Sequence, residues 1–129
     1  MDQSEVRILV VDDVQAMRTQ VADLLLSVGF KSIQLASNIQ EAKQHLSKSP
    51  YQLILCDWHL NQGDGPELLD HIQKERLDSG CAFIMLTAEA TKELVLQALK
   101  SGVDDYILKP MNQANLSKIY KVLLRKQIL

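Results

Sequence analysis

Short apolar runs alternate along the chain with longer segments whose apolar residues recur three and four positions apart. The runs occupy residues 6–11, 33–36, 53–56, 83–86 and 106–108, and their length and β-branched content predict strands. The first segment between them places Val14, Met17, Val21, Leu24, Leu25 and Val28 on one helical face, with Gly29 as its C-cap. A second helix is predicted over about residues 38–48, where Ser37 with Gln40, or Asn38 with Glu41, forms a capping box. Asp64 and Glu67 open a third, with Pro66 in the first turn, where a missing N–H costs nothing. The fourth covers about residues 90–101 and closes at Gly102. The fifth starts near Asn112 and carries Leu116, Ile119, Tyr120 and Leu123. Five βα units in sequence imply an α/β fold, an open parallel sheet with helices on both faces.

The first, third and fourth runs are apolar almost throughout, as strands covered on both faces should be. The second alternates Ser32, Ile33, Gln34, Leu35, and the fifth is short, so both read as edges. The expected architecture is a doubly wound five-stranded sheet of order 2-1-3-4-5, flavodoxin-like, with five helices. In that order the winding reverses between strands 1 and 3, and ligands bind outside the carboxyl ends of the strands at such a point.

The residues at those ends are Asp12 and Asp13 after strand 1, Asp57 after strand 3, Thr87 ending strand 4, and Lys109 before Pro110 after strand 5. Two carboxylates about 4 Å apart repel by about 4 kcal/mol at an effective dielectric near 20, so three of them stabilise no fold by themselves. An oxygen-rich set of this kind suits a hard divalent cation such as Mg²⁺. Singly, each residue has an ordinary explanation. Asp12 or Asp13 caps the first helix, Asp57 is a loop carboxylate, Thr87 a strand terminus and Lys109 a solvated amine. The ordinary explanation must hold at four strand ends independently.

Composition narrows the class. The 129 residues are 47% hydrophobic and 23% charged with a net charge of −2, as in a soluble single domain not built to hold nucleic acid. The acidic, polar opening is no secretory signal, and no apolar run approaches the ~20 residues of a membrane span, so a cytoplasmic protein without membrane contact is expected. Cys56 and Cys81 fall at opposite ends of the sheet and are expected to be free thiols, Cys56 in the core. His45, His59 and His71 lack zinc-ligand spacing, and His45 and His71 are expected on the surface.

Asp12-Asp13 after ILVV, LILCDWHL with Asp57, MLTAEA with Thr87, and DYILKP with Lys109-Pro110 together resemble the receiver domain of two-component response regulators. The resemblance covers about residues 5–126 of a single domain spanning 1–129. Trp58, Glu89 and Tyr106 make it most similar to the stand-alone chemotaxis regulators. It implies a phosphorylation-activated switch. Asp57 would accept a phosphoryl group from a histidine kinase or phosphotransfer protein. Mg²⁺, with Mn²⁺ as a substitute, would be held by Asp13, Asp57 and the backbone carbonyl of His59, with Asp12 acting partly through water. Lys109 and Thr87 would bind the phosphoryl group, and the Lys109–Pro110 peptide would be cis. Thr87 and Tyr106 would move as the switch and alter the helix 4–strand 5–helix 5 face that controls a downstream effector or output domain. His59 and Glu89 would tune the phosphoryl lifetime.

Many members have proline where Asn61 stands, and Gly63 and Gly65 are expected to loosen the same loop. Leu94, Val95, Leu96, Ala98 and Leu99 give the fourth helix more apolar surface than one core-facing stripe needs; it is either broadly buried or part of a partner surface. Beyond Asp105 the chain has no acids, while Lys109, Lys118, Lys121, Arg125 and Lys126 are basic, and complementing the helix dipole is the default explanation. The competing reading is a pseudo-receiver, an interaction module that takes no phosphate. An enzyme is not expected. Aspartyl-nucleophile phosphatases need a second Asp where His59 stands, and the Asp12-Asp13 loop repels phosphate without a metal.

Overall fold

A computed structural model describes residues 1–60, 63–75 and 80–129. Its strands are β1 (Arg7–Val11), β2 (Ser32–Ala36), β3 (Leu53–Asp57), β4 (Ala82–Thr87) and β5 (Asp105–Leu108). The helices between and after them are α1 (Gln15–Ser27), α2 (Ile39–Lys48), α3 (Gly65–Lys74), α4 (Lys92–Ser101) and α5 (Leu116–Arg125). All neighbouring strands pair in parallel in the order β2-β1-β3-β4-β5, as the apolar pattern predicts.

Side-chain alternation divides the core in two. Ile8 and Val10, Leu53 and Leu55, Ile84 and Leu86, and Ile107 face one side, where they meet Val21 and Leu25 of α1 and Ile119 and Leu123 of α5. Leu9 and Val11, Ile54 and Cys56, and Phe83 and Met85 face the other, against Ala42 of α2, Leu68 and Ile72 of α3, and Ala98 of α4. Burying a side chain of this size contributes about 1.5–3 kcal/mol, so the two apolar layers hold the strand ends in register.

Helix termini follow local chemistry. Asn38 accepts a hydrogen bond from the Glu41 amide at 2.8 Å, and the Glu41 carboxylate reaches back to Ser37, so the Asn38–Glu41 alternative forms the cap. Asp64 caps α3 through the Glu67 amide. Gly29 and Gly102, at φ 104° and 112°, close α1 and α4 in the left-handed region, where a Cβ is disfavoured. Val14 departs from the expected apolar stripe: it precedes α1 in extended conformation and is exposed. The helix begins one residue later because the Asp12 side chain captures the Val14 amide.

Cys56 and Cys81 are buried free thiols. His45 and His71 are half-buried on α2 and α3. Asn61, where a missing proline is noted, lies outside the described residues. The expectation for Gly65 is corrected: it is buried, and a Cβ there would lie 2.4 Å from Trp58 Cε3, so it permits a close approach. No helix among the described residues is long and apolar enough to cross a membrane.

Candidate functional site

The alternation that sorts the core also sorts the residues at the carboxyl edge of the sheet. Asp57, the last residue of β3, keeps the parity of Leu53 and Leu55 and so faces the α1/α5 side. Asp12 and Lys109 lie one residue beyond β1 and β5, two positions after Val10 and Ile107 of that same face. They converge accordingly. Lys109 Nζ donates to Asp57 Oδ2 at 3.0 Å and to Asp12 Oδ2 at 3.3 Å. One carboxylate oxygen from each of Asp12, Asp13 and Asp57 lies within 4.8 Å of the other two.

Asp12 is 1% exposed and Asp57 4%, whereas Asp13 is half-buried. The Lys109 ammonium therefore bonds two carboxylates withdrawn from water, with that of Asp13 beside them. Burial, helped by the Asp57 charge, pushes the Asp12 carboxyl above its ordinary range, while the Val14 amide and Lys109 pull against it. Burial also works against the Lys109 ammonium. Its hydrogen bond to Asp57 and the charges of Asp12 and Asp57 outweigh that effect, and the net shift is upward. Cys56, wholly buried beside these acids, has its thiol pushed well up, first by burial and then by the Asp57 charge. Its side chain belongs to the opposite face and takes no part in the cluster.

Thr87, fully buried, ends β4 on the α4 side of the sheet, and its hydroxyl donates to the Glu89 carbonyl at 2.8 Å. Tyr106 packs on that side, half-buried. The His59 amide donates to Asp57 Oδ1 at 3.2 Å while its side chain is exposed. The Lys109 amide bonds the Thr87 carbonyl at 2.7 Å, tying the ends of β4 and β5 together, and the Lys109–Pro110 peptide is cis.

A model of the response regulator receiver domain matches residues 8–121. The chain belongs to this family. The receiver domain is 34% identical over 112 residues to chemotaxis protein CheY-3 of Vibrio cholerae, covering 87% of this chain and 86% of that protein. It is 33% identical over 120 residues to the phosphate regulon transcriptional regulatory protein PhoB of Escherichia coli. That match covers 93% of this chain and 52% of PhoB, so the chain spans about half of that relative. The crystal structure of a two-component response regulator from Clostridium difficile superposes with a TM-score of 0.83 at 31% identity, covering 95% of this chain and 98% of that one.

Within this receiver domain, the residues at the strand ends divide into two groups. Asp12, Asp13, Asp57 and Lys109 meet, whereas Thr87 and Tyr106 stand on the adjoining α4 side. Glu89 is exposed, and it meets Thr87 through its backbone, which both accepts from and donates to the hydroxyl.

Two expectations are settled by burial and pairing. α4 is not broadly buried: Ala98 alone is buried among its described residues, with Leu96 and Leu99 47% and 44% exposed. The basic residues of α5 do more than complement its dipole. Arg125 and Lys126 pair with Asp104, and Lys118 bonds the Tyr106 carbonyl at 2.8 Å.

Sequence reasoning missed Arg18, whose guanidinium donates to the Asp12 carbonyl at 2.6 Å and secures the β1–α1 loop. It also missed Gln20, which bonds the Met111 carbonyl beyond Pro110 at 2.9 Å.

Proposed function

We propose that this receiver domain is a phosphorylation-controlled switch whose acceptor is Asp57. The observation that carries the reading is the hydrogen-bonded cluster of Asp57, Asp12 and Lys109 beside Asp13, placed where the sheet reverses its winding. The donor set fits a hard divalent cation: three clustered carboxylates, two of them buried and sharing the Lys109 ammonium. Asp13, Asp57 and the His59 carbonyl would hold Mg²⁺ or Mn²⁺, with Asp12 acting partly through water. When bound, the ion neutralises charge on the phosphoryl oxygens.

In the transfer, an Asp57 carboxylate oxygen bonds to phosphorus as the bond from phosphorus to the donor's histidine nitrogen breaks, its electron pair leaving with the imidazole. Lys109, already on Asp57 Oδ2, stabilises the charge gathered on the transferring group. Thr87 then exchanges its hydrogen bond with the Glu89 carbonyl for one with a phosphoryl oxygen. That exchange releases the loop before α4, and Tyr106 follows on the same face. The added charge of roughly −1.5 to −2 biases a packed two-state element.

The exposed α4 leucines and Tyr106 form the face read by a downstream effector or output domain. The phosphodonor is a histidine kinase or phosphotransfer protein, and the setting is the cytoplasm. Residues 1–129 act as one receiver domain. Catalysis is limited to self-phosphorylation and slow self-hydrolysis, whose rate His59 and Glu89 tune from the rim of the site.

Intact-mass analysis after incubation with acetyl phosphate and Mg²⁺ tests this reading. One added phosphate is expected in the parent and none in Asp57→Asn. No gain in the parent would instead assign the chain to phosphate-independent interaction modules.

A further inference from the structure

Lys118 makes three contacts around one aromatic residue. Its Nζ lies 3.9 Å from the centroid of the Tyr106 ring, donates to the Tyr106 carbonyl at 2.8 Å, and stands 3.9 Å from Asp105 Oδ1. Lys118 belongs to α5, which packs on the α1 side of the sheet, whereas Tyr106 packs on the α4 side. The side chain therefore reaches round β5 to touch it, and only an edge strand allows that path. The backbone explains where it anchors. The Lys109 amide bonds β4, so by alternation the Tyr106 carbonyl points away from β4 toward the open edge, where a parallel neighbour would otherwise satisfy it.

We propose that Lys118 is a positioning residue for the switch: its ammonium clamps the Tyr106 ring at the open edge of β5 and thereby raises the phosphodonor level needed to fill Asp57. The proposal rests on the switch reading above, in which Tyr106 moves when Asp57 is phosphorylated. A cation over an aromatic face is held by the ring's negative face, and that attraction is lost when the ring swings away. Whatever holds the resting conformation must be overcome by phosphorylation, so at a given phosphodonor level it lowers the share of Asp57 that carries phosphate. The carbonyl bond keeps the ammonium in place whichever way the ring points, so the clamp acts on the ring alone.

Three variants separate this role from simple pairing with Asp105. Lys118→Met keeps the apolar stem and removes the cation. Lys118→Arg keeps a cation able to stack. Lys118→Met in a Tyr106→Leu background removes the ring as well. Fractional phosphorylation is read by intact mass against acetyl phosphate concentration at fixed Mg²⁺. Lys118→Met is expected to half-fill at about a fivefold lower concentration, Lys118→Arg at the parent value, and the lysine change to have no effect in the Tyr106→Leu background. In the unphosphorylated parent, the Lys118 ε-methylene protons should resonate upfield through the ring current and return to the ordinary lysine position in Tyr106→Leu. An ordinary position in the parent overturns the clamp, as does a Lys118→Met curve identical to the parent's or unchanged by Tyr106→Leu. A parent that takes no phosphate defeats the switch reading and the proposal together; a parent that fills normally beside an unaltered Lys118→Met curve defeats the proposal alone.

Discussion

Lys109 Nζ sits 3.0 Å from Asp57 Oδ2, although 52 residues separate the two in the chain. Its ammonium bonds both buried acids of the cluster. Lys109→Met would take the ammonium from two buried carboxylates, a change that costs about 3–5 kcal/mol in buried pairs. We expect the thermal midpoint to fall by about 9–15 °C at roughly 3 °C per kcal/mol, with part of the loss restored by millimolar Mg²⁺. Calorimetric melts with and without the ion measure both effects.

Asp13→Asn should act in the opposite sense. It relieves repulsion in the ion-free protein, so the midpoint is expected to rise by roughly 2–4 °C. Stabilisation by Mg²⁺ should then largely disappear, because one of three clustered oxygens has lost its charge. Melting curves across a Mg²⁺ series would show the two variants, Lys109→Met and Asp13→Asn, moving in opposite directions.

Gly65 admits no side chain. A Cβ would lie 2.4 Å from Trp58 Cε3 and 3.1 Å from the Trp58 Cα, and that backbone is fixed by the Gly65 amide on the Trp58 carbonyl and the Trp58 amide on Leu86. Gly65→Ala is expected to destabilise by about 1–3 kcal/mol through overpacking. Because Trp58 follows Asp57 directly, the same variant should shift the emission of this single tryptophan and slow phosphorylation. Urea titration and fluorescence check the two consequences.

The cap of α2 carries a pH signature. Hydrogen bonds from the Ser37 hydroxyl and amide lower the Glu41 carboxyl from its ordinary 4.5. A depressed folded value means that the charged carboxylate stabilises the fold above about pH 4.5 and that this contribution is lost as pH falls through the folded value. Glu41→Gln should therefore be less stable than the parent at pH 7, with the difference shrinking as pH falls through the folded value. Paired urea titrations from about pH 3 to 7 provide the comparison.

The strand order was legible because an interior strand must be apolar on both faces, which residues 8–11, 53–56 and 83–86 are and residues 32–35 are not. Asp12, Asp57 and Lys109 were legible for a related reason: the period-2 parity that buries Val10, Leu55 and Ile107 carries these three, two positions on, to one face of one edge. Pairings between elements were not legible. Lys126 meets Asp104 across 22 residues, and a cation at the end of α5 suits the helix dipole equally well, so only the packing decides. Val14 carries the spacing of the α1 stripe, but a competing hydrogen bond from its amide to Asp12 moved the helix start. Gly65 read as a loosening residue because Trp58 touches it only once β3 and α3 are docked.

Borohydride reduction maps an aspartyl phosphate by converting the phosphorylated side chain to homoserine, and it interrogates the acceptor directly. After treatment with acetyl phosphate and Mg²⁺, tandem mass spectrometry of the reduced protein should place homoserine at position 57, with none formed when Mg²⁺ is chelated. Homoserine at another acid, or an unmodified position 57 in the presence of Mg²⁺, would contradict the account.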